Sequence, residues 1–190
     1  MIGYIEGKVA AVRDSYFIVQ TGGIGYKVAV LKESIARTAP GSEIRLWTHL
    51  AVREDALDLY GFAHEEELRF FELLLSVSGI GPKSALAVLD IASVETLRSA
   101  ISTANAGYLT SVSGIGKKTA EKIVMELKDK MPKGSAGSAS ALRGDQEALE
   151  AMRALGYSAS EARDALRQIP VEVEGGSDRL RAALKLLGKK

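Results

Sequence analysis

The chain has 190 residues, of which 46% are hydrophobic and 26% are charged, a composition typical of globular proteins. It contains no cysteine, which excludes disulfide bridges and cysteine-ligated metal centres and favours a reducing compartment. The opening MIGYIEGKVAAV lacks the apolar stretch of a signal peptide, and the apolar runs of the chain are too short to span a membrane. We therefore expect a cytoplasmic protein that has no membrane segment.

The charge of the chain is almost balanced, with 25 Lys and Arg side chains against 24 Asp and Glu. Residues 1–62 carry 7 basic and 7 acidic side chains, residues 63–132 carry 8 and 9, and residues 133–190 carry 10 and 8. Proteins that bind nucleic acid are often strongly basic, and no part of this chain is. Binding to a polyanion would therefore depend on locally placed lysines and on main-chain dipoles.

Residues 1–62 are predicted to form β-strands, because runs rich in Val, Ile, Tyr and Phe alternate with turn residues. The predicted strands are Ile2–Val12, Tyr16–Thr21, Gly25–Val30, Ile44–Val52 and Ala56–Tyr60. Five short strands in about sixty residues suit a small closed barrel of the oligonucleotide-binding (OB) type. A small β-sandwich or roll is the alternative.

The pattern becomes helical at His64, where three glutamates favour the start of a helix. Helical character continues to about Met131 and ends at Pro132. Residues 133–144 are small, polar and glycine-rich, which predicts a flexible linker. After the linker, three short helices are predicted at Asp145–Leu155, from Ser158 or Ser160 to Ile169, and at Ser177–Leu187, the last with Ser177 as its N-cap.

An internal repeat separates this chain from an ordinary helical protein. SVSGIGPKSA at 76–85 aligns with SVSGIGKKTA at 111–120, at an offset of 35 residues and with eight of ten positions identical. Each copy predicts a helix, a tight Gly-Ile-Gly hairpin and a second helix. The glycines permit positive φ and leave the main chain accessible, while Ile80 and Ile115 are suited to anchoring the hairpins in the core.

The free N–H groups at the start of each second helix would form an anion site beside the lysines of the repeat. The predicted phosphate-binding residues are Gly79, Gly81, Lys83, Gly114, Gly116, Lys117, Lys118 and Lys122. A nucleotide-binding loop does not fit, because Lys118 stands where that motif needs Ser or Thr. The pattern resembles the helix–hairpin–helix motif, which binds duplex phosphates without reading sequence; a plain helix–helix turn is the alternative.

Over its whole length the chain resembles the RuvA family, the Holliday-junction-binding subunits of the bacterial branch-migration machine. The resemblance rests on both hairpins, the linker, the terminal helices, and the segments MIGYIEG, GGIGYKV at 22–28 and VREDALDLYGF at 52–62. It implies a multidomain α+β protein with an OB-fold barrel at 1–62, a tandem helix–hairpin–helix domain at 63–132, the linker at 133–144, and a three-helix module at 145–190 that resembles ubiquitin-associated domains.

The same resemblance implies the partners of the chain. Family members bind four-way DNA junctions as homotetramers, sometimes as octamers that enclose the DNA, and take part in recombination and repair. The mobile third domain contacts the RuvB motor ATPase, and the RuvC resolvase joins the same complex. No catalytic residue, metal ion or cofactor is expected.

Glu54 and Asp55 lie between two predicted strands. The residues alone favour a solvated turn, whereas the resemblance assigns the pair to an acidic pin near the centre of the junction. A third reading groups them with Asp58 as a carboxylate site for Mg²⁺. This reading makes the chain a helix–hairpin–helix nuclease, although no partner motif for phosphodiester cleavage appears. His49 and His64 are expected at the barrel edge or surface.

The terminal module carries apolar residues around the end of its first helix, in a Met-x-x-Leu-Gly-Tyr pattern seen in ubiquitin-associated-type folds. The predicted partner-binding residues are Met152, Leu155, Tyr157, Leu184 and Leu187. We expect some of the five to lie in the core of the module, with Leu155 and Tyr157 the strongest candidates for contact.

Overall fold

The computed structural model describes residues 1–110, 112, 115–130, 136–170, 173 and 175–188, with the main chain alone at 136–143, 159 and 160. The chain forms two compact units, Met1–Asp90 and Ile91–Lys190. The boundary falls between the two hairpins, so the first hairpin belongs to the unit of the barrel. The domain limits proposed from the sequence remain predictions.

The first unit begins with a closed five-stranded barrel, as predicted, and the closure excludes the sandwich alternative. The strands are β1 (Tyr4–Val12), β2 (Tyr16–Thr21), β3 (Ile24–Val30), β4 (Glu43–Val52) and β5 (Leu57–Phe62). Their order around the barrel is β1-β2-β3-β5-β4, and β1 closes onto β4. The β3–β5 pairing is parallel and all other pairings are antiparallel. Closure leaves no free sheet edge, so the register of each strand is fixed on both sides.

Two glycines of the barrel lie where neighbouring strands approach too closely for a side chain. A Cβ atom at Gly7, in the MIGYIEG segment, would collide with the main-chain carbonyl of Gln20 on β2. A Cβ atom at Gly61, in the LYGF segment, would lie 2.6 Å from Cγ1 of Val28 and 3.0 Å from Cδ1 of Leu46. Both glycines therefore allow close approach inside the barrel, and neither has positive φ.

A short helix, α1 (Lys32–Arg37), connects β3 to β4 and was absent from the predicted elements. Its six residues are too few for a recognisable apolar period. Local charge supports it, since Arg37 and Glu33 pair at 2.7 Å with i,i+4 spacing.

Helix α2 (Glu65–Leu75) attaches the first hairpin to the barrel, and α3 (Pro82–Leu89) follows the hairpin. The ring of Phe71 is fully buried and lies 5.3 Å from the ring of Tyr60 and 4.9 Å from that of Phe62. At the end of α3, the Asp90 carboxylate accepts a hydrogen bond of 2.9 Å from the Lys32 main-chain N–H, at the start of α1. These contacts hold barrel and hairpin together as one unit.

The second unit contains the second hairpin and the terminal helices. Helix α4 (Val94–Ser102) begins at Ser93, whose hydroxyl caps the Thr96 N–H. A short α5 (Ala106–Leu109) precedes the hairpin, α6 (Lys117–Leu127) follows it, and a 3₁₀ turn occupies Lys128–Lys130. Among the described residues, no helix is both long and apolar enough to cross a membrane.

Three helices form the terminal module: α7 (Ala136–Ala154), α8 (Ala159–Arg167) and α9 (Gly176–Leu187). Helix α7 begins nine residues before the predicted Asp145, so helical backbone covers most of the predicted linker. Residues 136–144 contain Ala, Leu and Arg but no proline, and a helix extends easily once its nucleus is formed. The N-cap of α9 is Gly175, with φ 84°, and not the predicted Ser177, which lies inside the helix.

A buried ion pair joins the middle of α7 to α9. The guanidinium of Arg179 donates to the Asp145 carboxylate at 2.6 Å and to the carbonyls of Pro170 and Val173 at 3.0 and 2.8 Å. Burial raises the pKa of the Asp145 carboxyl, and the adjacent guanidinium offsets part of this effect. Gly144 is also packed tightly, because a Cβ atom there would lie 2.8 Å from Cδ of Arg179. The predicted linker thus ends in a structural contact.

Candidate nucleic-acid interface

The sequence repeat is matched by a repeat of main-chain hydrogen bonds. In the first hairpin, Ile80 N–H donates to the Val77 carbonyl at 3.0 Å, and in the second, Ile115 N–H donates to the Val112 carbonyl at 3.0 Å. The following helices open in the same way, with Ala85 bonded to Gly81 at 2.9 Å and Ala120 to Gly116 at 3.0 Å. Ser111, Ser113 and Gly114 lie outside the described residues. One of them, Gly114, is a predicted site residue.

The isoleucine between the two glycines of each hairpin is buried, as predicted. Ile80 is 6% exposed and Ile115 is 4% exposed. An apolar side chain at this point fixes the hairpin to its own core, so the flanking main chain stays at the surface in a defined position.

The hairpin glycines differ in backbone conformation, so a side chain would have a different effect at each position. Gly79 has φ +92°, a conformation that other residues adopt at a cost. Gly81 and Gly116 are the N-caps of α3 and α6, with φ −95° and −77°, so neither uses the positive φ that glycine permits. Apart from the adjoining main chain, no atom of the described residues lies within 4 Å of a Cβ placed at any of the three. The space above them is open, which allows an external group to approach the main chain.

The first turns of α3 and α6 carry positive charge where helices usually carry negative charge. Neither helix has an acidic residue or a side-chain cap in its first turn. Instead, Lys83, Lys117 and Lys118 are exposed there, although the helix dipole is unfavourable for cations at the N-terminus. Uncapped N–H groups beside lysines are the arrangement that binds anions at helix N-termini.

The fourth predicted lysine, Lys122, is in a different environment. It lies one turn into α6, is partly buried, and its ammonium is 3.8 Å from the Glu126 carboxylate. An anion bound at Lys122 would compete with this i,i+4 pair. We therefore expect Lys122 to contribute less to a phosphate site than Lys117 or Lys118.

Each hairpin borders a surface groove within its own unit. In the first unit, a groove of about 500 Å³ is lined by Arg53, Lys83 and the N-terminus of α3. In the second unit, a groove of about 420 Å³ is lined by Gly116, Lys117 and Thr110. Arg53 was not among the predicted site residues; the signal available in the sequence was its position next to Glu54.

The acidic pair forms the tip of the β4–β5 hairpin. Glu54 and Asp55 are both exposed, and the turn is closed by Arg53 N–H donating to the Ala56 carbonyl at 2.9 Å. Asp58 is separate from this pair, because it accepts a hydrogen bond of 2.6 Å from the Arg53 guanidinium. Hereafter the acidic tip means Glu54 and Asp55.

The metal-site alternative gains no support from this geometry. Within the described ranges, no three His, Asp or Glu side chains converge as they would around a metal ion. His49 lies at the barrel surface, where its Nδ1 is 3.1 Å from the Glu72 carboxylate. The exposed His64 is the N-cap of α2. Both histidines occupy the kind of position that the sequence predicted.

The predicted partner-binding residues divide between core and surface. Met152 is fully buried in the core of the three-helix module, so its side chain offers no exposed surface to a partner. Tyr157 and Leu187 are partly buried and pack against the same core, and Leu184 is partly buried. Leu155 is 61% exposed, so of the five it is the residue most accessible to a partner.

Comparison with known proteins identifies the parts of the chain. Residues 1–61 match the RuvA N terminal domain, and residues 71–129 match the SAM-like helix-hairpin-helix tandem. A protein of Caldanaerobacter subterraneus subsp. tengcongensis called "Holliday junction branch migration complex subunit RuvA" is 43% identical over 193 residues, covering 100% of both chains. A protein of the same description from Nocardia farcinica is 39% identical, over 100% of this chain and 99% of its own.

An OB-like barrel followed by tandem helix–hairpin–helix elements defines a DNA-binding protein, as the sequence predicted. The similarity over the full length of these relatives specifies this further. The chain belongs to the RuvA family.

The two glycines of the first hairpin allow conformation and access to be tested separately. Gly79→Ala should lower the free energy of unfolding by about 1 kcal/mol, because φ +92° strains any side chain. Gly81→Ala should change stability by less than about 0.5 kcal/mol, yet weaken DNA binding by filling the open space at the helix start. Urea unfolding followed by Trp47 fluorescence, with duplex binding measured in parallel, checks both. Equal stability of the two variants would contradict the assignment.

Proposed function

We propose that the chain binds four-way DNA junctions by their structure and recruits the RuvB motor ATPase, which drives branch migration. The observation that carries the proposal is the pair of matching hairpins, each ending at an uncapped, lysine-bearing helix start. The relatives are described as subunits of a Holliday junction branch migration complex, which supports the junction as the DNA substrate.

Phosphates are the part of DNA that such helix starts bind. Main-chain N–H groups and lysine ammonium groups contact phosphate oxygens without distinguishing bases. Gly81 and Gly116 present no side chain in the way of this approach. Binding is therefore independent of sequence, as branch migration through any sequence requires.

The acidic tip gives the binding its structural preference. Two carboxylates close to a phosphate repel it by about 1 kcal/mol per pair of charges at 4 Å in water, and by about 4 kcal/mol at an effective dielectric of 20. In a four-fold assembly, eight such carboxylates would surround the crossover. They oppose a continuous duplex through the centre and favour strands that diverge into separate arms.

The terminal module is the proposed contact for the motor. Leu155 offers an exposed apolar side chain at the end of α7, next to the partly buried Tyr157. We infer a homotetramer on the junction, or an octamer of two tetramers, with the RuvC resolvase joining the same complex. A cytoplasmic location stays a prediction, supported by the lack of cysteine.

The lysines at the start of α6 should set the salt dependence of binding. Replacing Lys117 and Lys118 with Ala should weaken junction binding and reduce the log–log salt slope by about 0.9 for each lost phosphate contact. The matched control is Lys128→Ala with Lys130→Ala, which removes the same charge from beyond the other end of the helix. Fluorescence anisotropy at several salt concentrations measures both variants. An unchanged slope for Lys117 and Lys118 would refute their role.

Removal of the charges of the acidic tip should strengthen binding to linear duplex DNA. Glu54→Gln with Asp55→Asn keeps the side-chain size but removes two negative charges per subunit. The variant should bind linear duplex more tightly and prefer junctions less, and the effect should shrink with salt, because the Debye length is about 10 Å at 0.1 M. Gel shifts of duplex and junction at two salt concentrations test this. If duplex affinity stays the same, the tip does not face phosphate.

The motor contact can be separated from DNA binding by one exposed residue. Leu155→Ser should weaken binding of purified RuvB by about tenfold or more, if Leu155 anchors the contact. Junction affinity should stay the same. Arg153→Ser, at an exposed neighbouring position, is the control for surface changes that remove no apolar contact. Surface plasmon resonance with RuvB and an ATP-dependent branch-migration assay give the two readouts. Full recruitment by Leu155→Ser would place the motor contact elsewhere.

A further inference from the structure

Two aliphatic side chains are exposed directly beneath the acidic tip. Val52 ends β4 and Leu57 begins β5, and the two residues face each other in the strand register. Val52 is 69% exposed and Leu57 is 70% exposed, which puts both among the most exposed large apolar residues of the described chain. A hairpin end of this kind needs no aliphatic residue for its own folding, since a polar pair could occupy it equally well.

The strand register explains why the pair points where it does. The preceding pair on the same side of the hairpin is Leu50 with Leu59, because side chains alternate with a period of two. Leu59 is buried in the barrel core and Leu50 packs against that core. Val52 and Leu57 continue the same apolar face beyond the end of the barrel, where the described residues of the unit no longer cover it. The β4–β5 hairpin thus carries its apolar face outward to the tip.

The chemical groups around Val52 and Leu57 favour nucleobases over phosphates as the groups that contact this pair. The carboxylates of Glu54 and Asp55 repel phosphate, which keeps the DNA backbone away from the tip. Nucleobases fit instead, because their flat faces are apolar and their exocyclic amino groups donate hydrogen bonds that carboxylates accept. Apolar side chains inserted at base steps are a known way for proteins to unstack DNA.

We propose that Val52 and Leu57 pack against the nucleobases next to the crossover and hold them unstacked from their neighbours. This inference rests on the proposed function, because it takes the acidic tip to lie at the centre of the junction. It adds a second role to the hairpin: the carboxylates exclude the backbone, and the aliphatic pair contacts the bases.

The test uses the full-length protein and a four-way junction carrying 2-aminopurine next to the crossover, a base analogue that brightens when it is unstacked. Saturating protein should raise the fluorescence, whereas 2-aminopurine in the middle of an arm should show no rise. The variant V52T/L57T places β-branched residues suited to strands at both positions but removes the aliphatic contact, and most of the rise should be lost. Ile24→Thr, at another site that is 58% exposed, is the matched control and should keep the full rise.

The outcomes separate this inference from the function beneath it. Junction affinity is measured independently, so failure of the wild type to prefer junctions would refute the proposed function. With binding intact, a full fluorescence rise in V52T/L57T would overturn the inference. A changed sedimentation coefficient of V52T/L57T without DNA would also overturn it, because the pair would then belong to a contact between subunits. Trp47 fluorescence checks that the barrel is folded, and the single variants V52T and L57T replace the double variant if it is not.

Discussion

Phe71 packs against rings of the barrel, and this packing connects the acidic tip to the first hairpin. The same residue contacts His49, on β4, at a ring distance of 5.5 Å, and Tyr60, on β5, at 5.3 Å. Both strands lead directly into the tip, while α2, which carries Phe71, leads into the hairpin. The proposed phosphate site and the proposed repelling tip are therefore held at a fixed spacing by one aromatic cluster. Under the proposed function, discrimination between DNA shapes depends on this spacing, since neither charge can adjust independently of the other.

The balanced charge of the chain becomes understandable from the placement of its charged groups. Lysines lie at two helix starts where the local dipole is already positive, and carboxylates lie at one turn that projects into solvent. Lys122 pairs with Glu126, and Arg53 pairs with Asp58, so several cations are neutralised locally. The lysines that would attract phosphate and the carboxylates that would repel it thus lie on different elements, although their charges nearly cancel in the net charge of the chain.

Much of the fold could be predicted because local patterns and tertiary structure agree. The strands followed from alternating apolar residues, and the burial of Ile80 and Ile115 followed from their position between glycines. Helix α1 was missed because six residues carry no period, and the start of α7 was missed because its first residues carry no apolar pattern. The start of α1 depends on a contact from elsewhere in the chain, the hydrogen bond that the Asp90 carboxylate accepts from the Lys32 main-chain N–H.

The candidate site was less predictable in its details than in its location. The repeat identified both hairpins, but it did not distinguish Gly79, which needs positive φ, from Gly81, which does not. Met152 and Leu155 belong to one Met-x-x-Leu-Gly-Tyr pattern, which did not show that Met152 lies in the core. Arg53 is drawn to Asp58 across the strand pair, a contact that depends on register and not on spacing.

The near neutrality of the surface has a consequence for how such a protein searches a chromosome. A genome offers about 10⁶–10⁹ ordinary duplex sites that compete with each rare target. A strongly basic protein would be sequestered on this excess. Under the proposed function, the localised lysines and the repelling turn leave weak affinity for any single stretch of duplex, so the free concentration of the protein stays high and newly formed crossovers are found from solution. Weak affinity for ordinary duplex is then the first source of selectivity for the junction.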